Sequence, residues 1–438
     1  MNLFNQYGNP STRHWLWLLG TSVAFGVEVL FFTILRGYFG PYYSPIWFYL
    51  ASVLLCVCAL LTQLDQPVSK PGPRAGWHFA VYGAVLLFGG AVAAAIQYPV
   101  IAANPIDVAQ SDVIPILQNY VGRFRSGEIV YRYITNLPYP LFPNHLPLQW
   151  LPYVPADKLS IDYRWWSLGI LVLGGFGAYL AFLNRQALRW IHFVLLVGLP
   201  WLLLCFLIVT GSYMFSHTVE FTIIAYYCLL TASIFIRSAW LRAAALVLCL
   251  LSRYSVIFWV PLFLWILWRE TGRRHAVAVA LLTGLGIVLV YVVPFLSKDW
   301  TIFTHALNEY RVATLGEWTR TDATNEGGPV HLFSGLGFAS FFYTYGHGEI
   351  ADRISLLQKV HVLVSLAAVT VSGFVYWKLR RRVDYRVLAL IALKFYLATF
   401  YAFLQIPYAY LTSMGLFISV FVVVVAFREP KRAVVPSA

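Results

Sequence analysis

The residues best suited to chemistry lie in one polar stretch, residues 99–165, set between strongly apolar runs. It holds Asp107, Asp112, Glu128 and His145. A carboxylate or imidazole on a loop held by a rigid scaffold can take a proton from a bound hydroxyl. Asp112 stands at the start of a helical segment, where the helix dipole favours the ionised form. The plain alternative is an N-cap. Glu128 and Asp107 are reserves, each equally readable as a solvated loop residue, and His145 contacts a ligand or simply braces the loop. His217 and Glu220 are three residues apart, so they share a helix face. They suit sugar hydroxyls, or form a hydrogen-bonded pair at a helix end. As a metal half-site they would need a second such pair; none is evident, so no metal and no cofactor is expected. Arg253 falls between two short apolar runs. A charge there costs at least about 2.5–3.5 kcal/mol unless paired or wet, so it calls for Glu220, another acid or an anionic ligand. Arg311, in a later polar stretch that also holds Lys298, His305 and His331, is a further phosphate-binding candidate.

What positions these residues is a set of membrane-length helices. The 438-residue chain is 60% hydrophobic and 11% charged, with mean hydropathy +0.70. Its apolar runs approach the roughly 20 residues needed to cross a bilayer. They cover residues 15–35, 44–64, 77–98, 166–183, 190–210, 218–236, 276–296, 356–377, 387–404 and 407–427. This predicts an all-α polytopic membrane protein, a single transmembrane domain over residues 1–438 with about ten full spans. Two shorter runs around Arg253, within residues 239–268, predict a short-helix hairpin. The first run is followed by Arg36 and Gly37 rather than a small-residue cleavage site, so it reads as a retained helix. All five cysteines lie in apolar segments and form no disulfide framework.

Lys and Arg mark cytoplasmic turns. Lys70, Arg74, Arg185, Arg189, Arg237, Arg242, Arg269, Arg273, Arg274, Lys378, Arg380, Arg381, Arg382, Arg386, Arg428, Lys431 and Arg432 fall on one side if both termini are inside. Two polar stretches, 99–165 and 297–355, then lie outside, and the hairpin tip at Arg253 points the same way. The net charge of +13 is thereby a topology signal and lipid headgroup contact, with no nucleic-acid partner. In the first outer stretch, Val113, Ile116, Tyr120 and Phe124 form an apolar stripe. That predicts a helix in the headgroup plane. Trp300, Phe303, Leu307 and Tyr310 predict a second. Glu28, inside the first run, needs a partner, whereas Lys394 can snorkel to the cytoplasm.

Asp112, then Gly127 with Tyr131 four residues on, then Pro143-Asn144-His145-Leu146-Pro147-Leu148 leading to Pro152, resembles the first periplasmic loop of GT-C glycosyltransferases. Arg242-Ala243-Ala244, Ser252-Arg253-Tyr254 and Pro261-Leu262, followed by Arg269, Arg273 and Arg274, resemble the short helix pair of glycosyltransferase family 87. The likeness covers roughly residues 107–275. It departs from the family in having two extra helices ahead of the acidic residue. It also has Gly211-Ser212-Tyr213 with His217 and Glu220 where the family has Gly-Gln. The resemblance implies a multi-pass inner-membrane enzyme that moves a mannose-like hexose from a polyprenyl-phosphate donor to an extracytoplasmic glycan or glycolipid hydroxyl, with inversion. Asp112 would then be the general base. Arg253 and Arg311 would bind the donor phosphate, and Glu128, Tyr131, His145, His217 and Glu220 the sugar or acceptor.

Two other classes stay open. An O-antigen-ligase or polymerase-like enzyme would rely on Arg311 and His331 and dispense with Asp112. A secondary transporter would carry two similar halves with broken helices, but the sequence offers one break, at residues 252–255.

Overall fold

The computed structural model describes residues 10–64, 78–321 and 327–429. Lys70, Arg74, Asp322, Glu326, Lys431 and Arg432 lie outside the described residues. The chain is all-helical, with no strand among the described residues beyond two isolated bridges. Nine helices in that set are long and apolar enough to cross a membrane. They are Arg13–Phe32, Arg36–Leu64, Ala80–Ala103, Tyr163–Leu183, Trp190–Thr210, Arg273–Val292, Ile350–Leu379, Tyr385–Ala402 and Ala409–Ala426.

The tenth expected span is different. The run at 218–236 is the helix Glu220–Ile234, 15 residues long, too short for a crossing. All but one of its residues are buried. A helix apolar on every side is covered by protein or by lipid; here protein covers it, so this is the core of the bundle rather than a lipid-facing span. The hairpin is present as Ala239–Leu250 and Trp259–Thr271. Both of its helices pack on Arg273–Ile287.

Connectivity gathers the basic turns at one end of the bundle. There Arg428 reaches Gln186 (Nε to Oε1, 2.7 Å) and Asp384. Arg242 meets His275 Nε2 at 2.8 Å, and the Tyr376 hydroxyl donates to Glu270. Both long polar stretches emerge at the other end and meet there, with the Phe142 and His305 rings 5.2 Å apart.

At this second end the loop 104–162 builds its own apolar core. Tyr120, Tyr131, Trp150 and Phe295 stack edge to face within it. The helix Val113–Arg125 therefore turns Ile116 and Tyr120 into protein, not into headgroups. Phe124, the last residue of that stripe, stays partly exposed while its ring packs on Trp150 and Phe295. On the second loop, Trp300, Phe303 and Leu307 of the Ile302–Thr319 region stay exposed.

Inside the bundle, Glu28 and Lys394 form an ion pair, both buried. Ser52 and Ser419 also donate to the Glu28 carboxylate, at 2.6 and 2.7 Å. Lys394 thus does not snorkel. Its ammonium finds a carboxylate and the Gly415 carbonyl at 3.2 Å, which is a better environment than a stretched path to the headgroups.

Candidate functional site

A cavity of about 870 Å³ opens at the loop end of the bundle. Its walls come from six parts of the chain: the turn between the first two helices, residues 108–113, residues 138–139, residues 210–218, the second loop, and residues 408–410. Asp112 lines it.

The reason lies in local capping. Asp112 occupies the N-cap position of Val113–Arg125, yet its side chain makes no cap hydrogen bond. Ser111 takes that duty weakly, accepting from Val113 N at 3.4 Å while donating to the His217 carbonyl at 3.3 Å. The Asp112 carboxylate is left free to turn outward, where the Tyr139 hydroxyl donates to it. Burial, and then the bond to Asp112, push the Tyr139 phenol up, so it remains a donor. Asp107 closes its own turn, accepting from Ala109 N at 2.9 Å, and so fixes the 108–111 rim. Arg164 braces the rim from below through the Asn104 and Ser216 carbonyls, at 2.6 and 3.0 Å.

His217 also lines the cavity, with its ring 4.5 Å from that of Tyr213. Burial, then the Arg164 charge, hold its imidazole below the ordinary value. The other sequence candidates stand outside the cavity wall. Glu128 is an exposed partner of Arg132 at 2.5 Å. Tyr131 donates to the His145 carbonyl at 3.0 Å, and His145 Nδ1 meets the Tyr120 hydroxyl at 3.1 Å. Both belong to the aromatic core. Burial lowers the His145 imidazole to about 4, which keeps it neutral.

Arg253 and Glu220 pair with each other, both largely buried. That bond pins the hairpin tip to the start of Glu220–Ile234. One oxygen of Glu220 and one terminal nitrogen of Arg253 still lack partners. Leu251 at the tip accepts from Leu148 N at 2.9 Å, and Tyr226 donates to the Leu148 carbonyl at 3.1 Å. The tip and the first loop are thereby one body. Arg311 is exposed and does not line the cavity.

Two arginines that sequence reading passed over do line it, Arg36 and Arg320. Neither has a carboxylate within ion-pair distance among the described residues. Arg36 carried a usable signal, since a lone arginine in a short turn at the end opposite the basic turns runs against the gathering of cations at one end. Its turn is shaped by Gly40, whose φ of 68° lets the chain enter the helix through Pro41.

The remaining wall holds Glu317, His331 and Tyr408. Gly335 makes that wall possible, because a Cβ there would lie 2.2 Å from the Pro407 carbonyl oxygen. Burial alone would raise the Glu317 carboxyl. Hydrogen bonds from His331 and Tyr408 outweigh it and hold the group below the ordinary carboxylate value. Among the described residues no group of three His, Cys, Asp or Glu side chains is arranged to hold a metal. The chain matches no family model, no curated protein and no solved structure.

Proposed function

We propose that this protein is a membrane glycosyltransferase that moves a hexose from a polyprenyl-phosphate donor to a hydroxyl of an extracytoplasmic glycan or glycolipid. The observation that carries this reading is the cavity that joins the Asp112 carboxylate, which accepts from Tyr139, to two arginines with no acid partner among the described residues. A phosphate supplies the missing charge for such arginines, and about 870 Å³ is within the range of small-ligand sites. The positive-inside pattern orients the basic end toward the cytoplasm. The cavity then opens on the outer side of the inner membrane, and both termini lie inside.

In the reaction, the acceptor oxygen attacks the anomeric carbon. Its proton passes to Asp112, the bond from carbon to phosphate oxygen breaks, and the electron pair leaves on the phosphate. Arg36 and Arg320 stabilise that charge. A single displacement inverts the anomeric centre. Arg253, tied to Glu220, holds the loop that carries the base.

The test is transfer of radiolabelled hexose from polyprenyl-phosphate sugars to envelope lipid acceptors by purified protein, run beside Asp112→Asn. Transfer by wild type that disappears in the variant supports the reading; transfer that survives removes Asp112 as base. A ligase-like reading gains one observation, His331 on the cavity wall, and loses another, the place of Arg311 away from it. Surviving transfer in Asp112→Asn would favour it.

A further inference from the structure

Glu317 and His331 come from different segments, the helix Ile302–Thr319 and the short helix Val330–Phe333. They meet at 2.5 Å between Oε2 and Nδ1. Tyr408 adds a hydrogen bond to the same carboxylate, and its ring lies 4.6 Å from the imidazole. With Nδ1 engaged, Nε2 is the ring nitrogen left for a ligand. All three side chains line the cavity that Asp112 lines. Tyr139 and Tyr408 each feel the charge of both carboxylates, so the two acids share one electrostatic site. Arg320, one turn beyond Glu317, completes a wall that offers donors to an anion.

A carboxylate on Nδ1 fixes the ring and stabilises the imidazolium. We propose that His331, oriented by Glu317, is the second proton-handling group of this cavity and donates its Nε2 proton to the phosphate oxygen from which the sugar departs. The inference rests on the glycosyl-transfer reading and deepens it by naming the contact on the leaving group. The balance is closed. The acceptor proton goes to Asp112, the new carbon–oxygen bond forms as the old one breaks, and the leaving phosphate takes the electron pair together with the His331 proton. Asp112 then releases a proton, and His331 regains one, through the open mouth. A phosphate monoester has its second pKa near 6, so its leaving oxygen accepts such a proton readily. Glu317 is a positioning residue.

The charged and titratable groups that share the cavity with His331 are Glu317 and Arg320, Arg36, Asp112 and Tyr139, Tyr213 and His217, and Tyr408 and Tyr410. Ordinary phenols and guanidiniums titrate above pH 9 and carboxylates below pH 5, roughly. His217 is held low by burial. An alkaline limb of transfer that His331→Gln removes is then assigned to His331.

The experiment uses the full chain in lipid nanodiscs and reads two quantities from about pH 5 to 9. They are hexose transfer from polyprenyl-phosphate donors and binding of polyprenyl monophosphate. Wild-type transfer should fall above the imidazole titration, and lipid-phosphate binding should weaken with it. His331→Gln should lose about 100-fold in rate and lose both pH dependences beyond that of the phosphate itself, whose second pKa is near 6. Glu317→Gln should keep the alkaline limb but move it to lower pH. Unchanged rate and unchanged limbs in both variants overturn the inference. If His331→Gln does not fold, Glu317→Gln decides, and an unmoved limb overturns it. Wild-type protein that transfers nothing, yet binds the lipid phosphate with a pH dependence that His331→Gln removes, overturns glycosyl transfer and upholds the phosphate contact. Absence of both overturns both.

Discussion

Two charged places in this molecule handle charge in opposite ways. Inside the bundle, Glu28 and Lys394 face each other, and Ser52, Ser419 and the Gly415 carbonyl complete their hydrogen bonding. At the loop end, Arg36, Arg320 and Asp112 line an open cavity, and the arginines there have no acid partner among the described residues. The first place is closed on itself and can only contribute to folding. The second is left incomplete, which is useful only if something else arrives. Arg253 and Glu220 stand between these extremes, paired but each with one unsatisfied polar atom.

Breaking the open site at its base should give the largest effect. Asp112→Asn should lower transfer by about 10²- to 10⁴-fold with little change in thermal stability. A loss of folding instead would make Asp112 structural, like Glu28. The closed site should respond in the reverse sense. Lys394→Leu leaves a buried carboxylate without its cation and should cost about 3–5 kcal/mol, read as a lowered unfolding midpoint in detergent. Glu28→Gln added to it should recover most of that loss. Neither change should alter turnover per folded molecule.

A third prediction separates stability from chemistry within the loop. The His145 imidazole is held at about 4 in the fold, below roughly 6.5 when unfolded. The unfolded chain therefore binds the extra proton between these limits. Stability is whole above pH 6.5 and declines as pH falls toward 4, by about 3 kcal/mol. His145→Gln should flatten that slope. The smallest expected effect is at the open arginines. Arg36→Gln should cost about 1.5–3 kcal/mol, seen as a fall in kcat/KM that includes a fall in kcat, because the charge it meets develops as the phosphate leaves. An unchanged kcat/KM would show that Arg36 serves the fold.

Much of the scaffold was written in local pattern. Long apolar runs and basic turns specify the spans and their alternation, and the Ser252–Tyr254 break between short runs specifies the hairpin. Asp112 was legible because a carboxylate at a helix start is a local feature. What local pattern does not carry is pairing across distance. Glu28 and Lys394 are 366 residues apart, so neither announces the other. Glu317, His331 and Tyr408 are brought together only by the Gly335–Pro407 approach. The run 218–236 looked like a span because hydropathy registers apolarity, not what surrounds it. Tyr131 and His145 looked like ligand contacts because a polar loop was expected to be solvated, whereas its aromatics built a core.

The shortness of Glu220–Ile234 has a consequence for where the loop core sits. Fifteen residues rise about 22 Å, against a hydrocarbon thickness of about 30 Å. If the inner end of that helix sits at the inner boundary, its outer end stops about 8 Å beneath the surface of the bilayer. Protein fills the space above that end, where Ser167 donates to the Val219 carbonyl at 3.0 Å and Arg164 to the Ser216 carbonyl at 3.0 Å. The loop core is thereby sunk into the bundle rather than perched on top of it.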